Sequence, residues 1–232
     1  GEINGSGVIE LAKDGPVGTA TVSAKQFTLI SKSDMLLIMS GQGAIEYAGG
    51  ALKVNGQFVA DEGDIQFAAS DVPRLSSDVI VLGREKKPSS QPLPLSLELN
   101  VDLGKKFRFR GYGLDADLAG QWRLRAQAKQ GLTANGTVSV EKGEYKAYGQ
   151  TLDIERGVLS FAGPVDNPGL DIIAMRRNLA VEAGVKVQGT AYSPRVTLYS
   201  EPSVPDSEKL SWLLFGHGTE NMEKSDSALL LQ

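Results

Sequence analysis

The sequence predicts an all-β fold: one elongated antiparallel sheet with a single apolar face, followed by a short C-terminal helix. Three observations carry this. Apolar and polar residues alternate at period two over much of the chain, glycine recurs between these stretches, and helical patterning is confined to short segments near the C-terminus.

The alternation is clearest at Leu93, Leu95, Leu97, Leu99, Val101 and Leu103, with Pro94, Ser96, Glu98, Asn100 and Asp102 between them. A helix would scatter those leucines around its circumference, whereas a strand gathers them on one face. The same pattern returns at Val181, Ala183, Val185 and Val187. It appears again at Phe107 and Phe109 against Arg108 and Arg110, at Trp122, Leu124 and Ala126, and at Val196 and Leu198.

Glycine spacing adds a degenerate repeat. Gly56-Gln57-Phe58-Val59-Ala60-Asp61-Glu62-Gly63 matches Gly136-Thr137-Val138-Ser139-Val140-Glu141-Lys142-Gly143 in outline, and Leu152-Asp153-Ile154-Glu155-Arg156-Gly157 repeats the second half. Because glycine tolerates positive φ, the charged-charged-Gly endings are expected to be hairpin corners in a long antiparallel meander.

Two segments break the β pattern. Residues 84–92 (Arg-Glu-Lys-Lys-Pro-Ser-Ser-Gln-Pro) are charged and aperiodic, which predicts a surface loop. Near the C-terminus, Pro205 and Asp206 precede Glu208-Lys209-Leu210-Ser211-Trp212-Leu213-Leu214-Phe215, and Gly216 follows. Proline and acid at the start with glycine at the stop predict a short helix packed on one end of the sheet. The chain therefore divides into a β region, 1–200, and a helical segment, 201–232. Both ends read as cut, the second just after the apolar run Ala228-Leu229-Leu230-Leu231.

Composition narrows function by exclusion. The 232 residues contain no cysteine and one histidine, His217, which removes thiolate and histidine-pair metal sites. A net charge of -4 lacks the basic footprint of a nucleic-acid binder. No apolar run approaches the ~18 residues of a membrane span. His217 sits between two glycines beyond the helix, where a solvated helix end is the expectation rather than a catalytic base. Gly111-Tyr112-Gly113-Leu114-Asp115-Ala116 mimics a dinucleotide fingerprint, but no helix opens after it. Lys105-Lys106-Phe107-Arg108-Phe109-Arg110 interleaves basic and aromatic residues, and a solvated strand face is the simpler reading. Asp61, Glu62 and Asp64 lack the ligand spacing of a calcium loop. No cofactor, metal or catalytic residue is expected.

A sheet with one apolar face must cover it, and this chain has little helical sequence to do so. Either the sheet closes into a sandwich or it curls and leaves an apolar groove. A groove would imply an apolar ligand, since an exposed surface of that extent exceeds what soluble monomers tolerate. Its lining would be Leu93, Leu95, Leu97, Leu99 and Val101, then Val138, Val140, Leu159, Phe161, Ile172, Val185 and Val187. Roughly fourteen strands at about 4.8 Å spacing would make a ribbon on the order of 65 Å long.

The motifs from Asn135 onward resemble those of one family. They include Gly136-Thr137-Val138, Gly149-Gln150-Thr151-Leu152, Gly157-Val158-Leu159-Ser160-Phe161, Asn167-Pro168 and Leu170-Asp171-Ile172. Gly184-Val185-Lys186-Val187-Gln188-Gly189-Thr190, Pro194-Arg195-Val196, Ser200-Glu201-Pro202 and Leu210-Ser211-Trp212-Leu213-Leu214-Phe215-Gly216 continue the series. In this order they resemble the C-terminal domain of the TamB family over residues 130–218; earlier residues share only the β-repeat character. The resemblance implies a curled sheet, or β-taco, with an apolar inner surface. It further implies a periplasmic location within an inner-membrane-anchored protein, phospholipid movement between membranes, and help in assembling outer-membrane proteins. The implied partner is a TamA-like outer-membrane barrel protein, with Leu210, Trp212, Leu213, Leu214 and Phe215 as the contact set on the helix. A protein-binding scaffold without lipid transport is the alternative. A carbohydrate-active enzyme ranks third, since it would need paired carboxylates facing one cleft.

Overall fold

The computed structural model describes residues 1–13, 15–67, 94–127, 130–147 and 149–221. Within them the chain forms one sheet of twelve strands. In order these are β1 (Glu2–Ala12), β2 (Gly15–Lys32), β3 (Met35–Ala48), β4 (Ala51–Phe67), β5 (Leu95–Asp102), β6 (Phe107–Gly111), β7 (Leu114–Gln127), β8 (Gln130–Ala147), β9 (Gln150–Pro164), β10 (Gly169–Arg176), β11 (Glu182–Thr190) and β12 (Ser193–Glu201). Helix α1 (Asp206–Leu214) and a 3₁₀ turn at Thr219–Asn221 follow. The predicted loop at 84–92 lies outside the described residues, as does Leu93.

Neighbouring strands pair antiparallel with one exception. β4 runs parallel to both β5 and β6, whose partners are Leu52 to Val59 and Gly63 to Phe67. A wholly antiparallel meander was expected, and this junction corrects it. The 27 residues between Phe67 and Leu95 are ample for the crossover that parallel neighbours require. β5 and β6 act as one strand broken at Leu103, with Gly104 at φ 65° and its amide donating to Asp102 Oδ1 at 2.7 Å.

Residues directly opposed across a ladder share a face, so the register sorts side chains without ambiguity. One transverse row runs Gly41, Phe58, Val101, Trp122, Gly136, Phe161. A neighbouring row on the opposite face runs Asn4, Ser23, Gln42, Gln57, Asn100, Arg123, Asn135. Through these rows the sheet has an apolar face and a polar face, the polar one interrupted in β10 by Ile173 and Met175.

Apart from a shift at Arg125/Gln127 by the β7–β8 hairpin, the register irregularities fall along a line across the strands. They occur at Ala24/Phe27 in β2, Ile38/Met39 in β3, the β5–β6 break, Asp117/Leu118 in β7 and Ile173/Ala174 in β10. A bulge bends its strand, so an aligned series is a crease. Buried apolar-face residues beside it are Ala60, Leu103, Ala116, Val138, Leu152, Ala174 and Ala183, with Ala134 buried farther along β8, while Ile173 and Met175 are buried on the opposite face. Ala134, at 0% exposure, sits among Trp122, Leu124 and Phe161, and the Trp122 and Phe161 rings meet edge to face with centroids 5.2 Å apart.

Here the charged-charged-Gly motif needs correcting. Gly63, Gly143 and Gly157 lie inside β4, β8 and β9, not at corners. A Cβ on Gly63 would stand 2.4 Å from the Phe107 ring, and one on Gly157 would stand 2.6 Å from Val140 Cγ2. Close approach at the crease, rather than positive φ, demands these glycines. The corners use other residues: Gly49-Gly50 and Tyr112-Gly113 each pair two positive φ values, the type I′ hairpin turn. The apparent dinucleotide fingerprint is therefore a hairpin.

Gly136 has φ 144°, and a Cβ there would sit 2.1 Å from Gln121 O. Gly163, on the same face, has nothing within 4 Å. Gly136→Ala is expected to destabilise the protein by more than about 2 kcal/mol. Gly163→Ala should change stability by under about 1 kcal/mol. Urea denaturation of both variants checks the pair.

Candidate functional site

The predicted lining converges on one face. Leu95, Leu97, Leu99 and Val101 oppose Leu52, Val54, Gly56 and Phe58 on β4, and the last three oppose Ala126, Leu124 and Trp122 on β7. Trp122 leads through Gly136 to the row containing Val138, which opposes Leu159, and Phe161 lies two residues on. Leu159 opposes Leu170; Ile172 opposes Val187, and Ala174 opposes Val185. Val140 opposes Leu118 on this face. Every predicted lining residue within the described part of the chain therefore shares the apolar face, although they come from five strands.

Exposure on that face is graded. Val138 and Phe161 are buried beside the crease, and Leu97, Leu99, Val101, Val140, Leu159, Ile172, Val185 and Val187 are half-buried. Leu95 is exposed, and at the β1 edge Ile9 and Leu11 are 77% and 90% exposed. Two adjoining open depressions, of about 680 and 830 Å³, run along the polar side. Both are walled by Ser23, Gln42, Gln57 and Asn100.

The polar face pairs its own charges. Arg125 meets Glu98 at 3.0 Å, Arg123 Nε donates to Asn100 Oδ1 at 2.9 Å, and Gln121 Nε2 donates to Asp102 Oδ2 at 2.8 Å. Arg110 grips Asp64 at 2.5 Å, and Arg108 Nε donates to Asp115 at 2.8 Å. The basic and aromatic strand β6 therefore has its arginines engaged, with Phe107 and Phe109 on the other face. Asp61 accepts from Ser40 Oγ at 2.6 Å, so two of the three acids at residues 61–64 have protein partners. The His217 ring stacks on Phe215, and its backbone carbonyl accepts from Ser211 Oγ at 2.7 Å.

Helix α1 covers one end of the apolar face. Leu213, 9% exposed, joins Leu152, Ala174 and Ala183, and Trp212 packs beside them with Ile154, Val185 and Leu198. Leu210, Leu214 and Phe215 are half-buried. Burying a leucine contributes about 1.5–3 kcal/mol, enough to dock a helix too short to persist alone. Its last carbonyls, which a helix leaves unpaired, take sheet donors: Arg176 Nη1 reaches Leu213 O at 3.0 Å and Trp212 O at 3.4 Å, and Gln150 Nε2 reaches Leu214 O at 3.0 Å. Sequence reasoning missed both donors. A signal existed in Arg176, which breaks the apolar parity of Leu170, Ile172 and Ala174.

The family described as the TamB C-terminal domain matches residues 1–231. The chain belongs to the TamB family. Membership extends well before residue 130, beyond the reach of the motifs read from sequence. A similar relative is the translocation and assembly module subunit TamB of Haemophilus influenzae, 34% identical over 154 residues. That alignment covers 64% of this chain and 12% of the relative's length. Of the motifs singled out in the sequence, Gly184 to Thr190 lies in β11, Pro194 to Val196 in β12, and Leu210 to Gly216 spans α1 and its end. No helix among the described residues is long and apolar enough to cross a membrane.

The Arg108 hydrogen bond holds the Asp115 carboxyl below its ordinary 3.8. A carboxylate lowered by folding stabilises above its unfolded value, and the contribution vanishes as pH falls through the folded one. Side chains half open to water make the effect small and salt-sensitive. Asp115→Asn is expected to flatten the acid limb of stability against pH at low ionic strength. Urea midpoints across the acid range measure this; an unchanged limb contradicts it.

Proposed function

We propose that this chain is a section of a periplasmic lipid conduit, holding phospholipid acyl chains along its apolar face within a longer, inner-membrane-anchored protein. One observation carries the reading. A face that the register keeps apolar across eleven strands buries part of itself around Leu103, Ala134, Val138 and Phe161, carries the nine-residue α1 over another part, and leaves Leu95, Ile9 and Leu11 exposed. Each acyl CH₂ withdrawn from water contributes about 0.8 kcal/mol, and that contribution has no direction. A lipid can therefore shift between equivalent positions without specific polar contacts. On this reading residues 1–200 hold lipid, and residues 201–232 serve contact with a TamA-like outer-membrane barrel and the assembly of outer-membrane proteins. The relative named as a translocation and assembly module subunit supports that assignment.

Leu97→Glu and Leu99→Glu are expected to abolish lipid carried by the purified protein while the β circular-dichroism signature persists. Extraction and mass spectrometry read the result. Detergent-free, folded parent protein without any bound lipid would sink the proposal.

A second reading, a scaffold that docks a barrel by strand addition, is favoured by the outer edge of β12. Among the described residues that edge pairs with no strand, and Val196 upon it is 60% exposed. Thr197→Lys, on the polar face of the same edge strand, is expected to weaken capture of a TamA-like barrel about tenfold and leave lipid content unchanged. Parallel loss of both would show that the roles are not separable.

A further inference from the structure

β8 and β9 are 18 and 15 residues long and cross the crease, whereas β10, β11 and β12 have only 8 or 9. Beside the ends of these short strands, α1 lies on the apolar face over Leu152, Ala174 and Ala183. We propose that α1 is a displaceable end-stop for the apolar face. Docked, its Leu213 and Trp212 occupy the positions an acyl chain would take at that end; released, they leave the face open to β12. The inference rests on the lipid-holding reading of that face.

Three features make α1 displaceable. At nine residues it depends on the sheet for its stability. Its N-terminus, at Pro205, has no side-chain cap. Its C-terminus is fastened by two sheet side chains, Arg176 and Gln150, through bonds of 3.0–3.4 Å to backbone carbonyls. Acyl chain and helix both bind this end by apolar burial, so each excludes the other. Loading is then governed by the fraction of molecules with α1 undocked.

The test uses the 232-residue chain with a photocrosslinking residue at Leu99, mid-face, or at Leu198, beside α1, and a phosphatidylethanolamine probe with a photoreactive acyl chain. Trp122→Phe leaves Trp212 as the sole tryptophan of the two, so its emission reports docking. Arg176→Ala combined with Gln150→Ala is expected to redden Trp212 emission and raise Leu198 crosslinking about threefold to tenfold. Leu99 crosslinking should not change, and Arg176→Lys should fall between. Leu213→Asp, on the helix itself, should act in the same way if the sheet variant folds poorly. An undocked α1 with unchanged Leu198 crosslinking overturns the end-stop and leaves the lipid reading standing. An α1 that stays docked in every variant overturns the fastening. Absence of crosslinking at Leu99 in every form removes the lipid reading, and the end-stop with it.

Discussion

The structure depends on one constraint: a single sheet with one apolar face must bury as much of that face as it can against itself. The crease is how it does so. Strands of 14 to 18 residues, such as β2, β3, β4, β7, β8 and β9, are far longer than the usual five or six. Each carries a bulge, a bend or a glycine near the same line. Large side chains on one strand then settle over glycines on the next, as Phe58 does over Gly41 and Phe107 over Gly63. The bend and the packing need each other: without glycine the ring has no seat, and without the ring the glycine leaves a void.

Much of the fold was legible because period two survives any bending. The leucines of β5 and the valines of β11 announced their face, and the register carries both sets onto the same side. Proline, acid and glycine around residues 205–216 bounded α1 within a residue or two of its observed ends. The repeat was also real, but its meaning was misread. Charged-charged-Gly looks like a turn because turns and creases both ask for glycine, one for positive φ and the other for missing volume. Only the neighbouring strand distinguishes them, and a sequence does not say which strand that is. The parallel junction at β4 was hidden for the same reason.

The two faces divide the physical work. On the polar side, charges are satisfied across the ladder by direct opposition, as Arg125 and Glu98 show, so a net charge of -4 conceals many matched pairs. On the apolar side there is almost no charge to specify a ligand, and Arg176, the cation beside α1, is turned to helix carbonyls. Such a surface discriminates by hydrophobicity and reach rather than by hydrogen-bond pattern. That absence of polar specification is also why its residues could be nominated from sequence as a set, while no single one stands out as a site.

The short strands at the C-terminal end follow from the same constraint. Among the long strands, Leu103, Ala134, Val138 and Phe161 are buried with Phe107, Leu118 and Trp122. β10, β11 and β12 stop at about half that length, so Ala174 and Ala183 would lie bare. Helix α1 stands in for the missing half-strands, and Leu213 supplies the cover that another wall would have given. A helix docked by Leu213, Trp212 and two side-chain clamps is far easier to remove than strands sewn into a ladder by backbone hydrogen bonds. The fold therefore places its most separable element over the end of its apolar face.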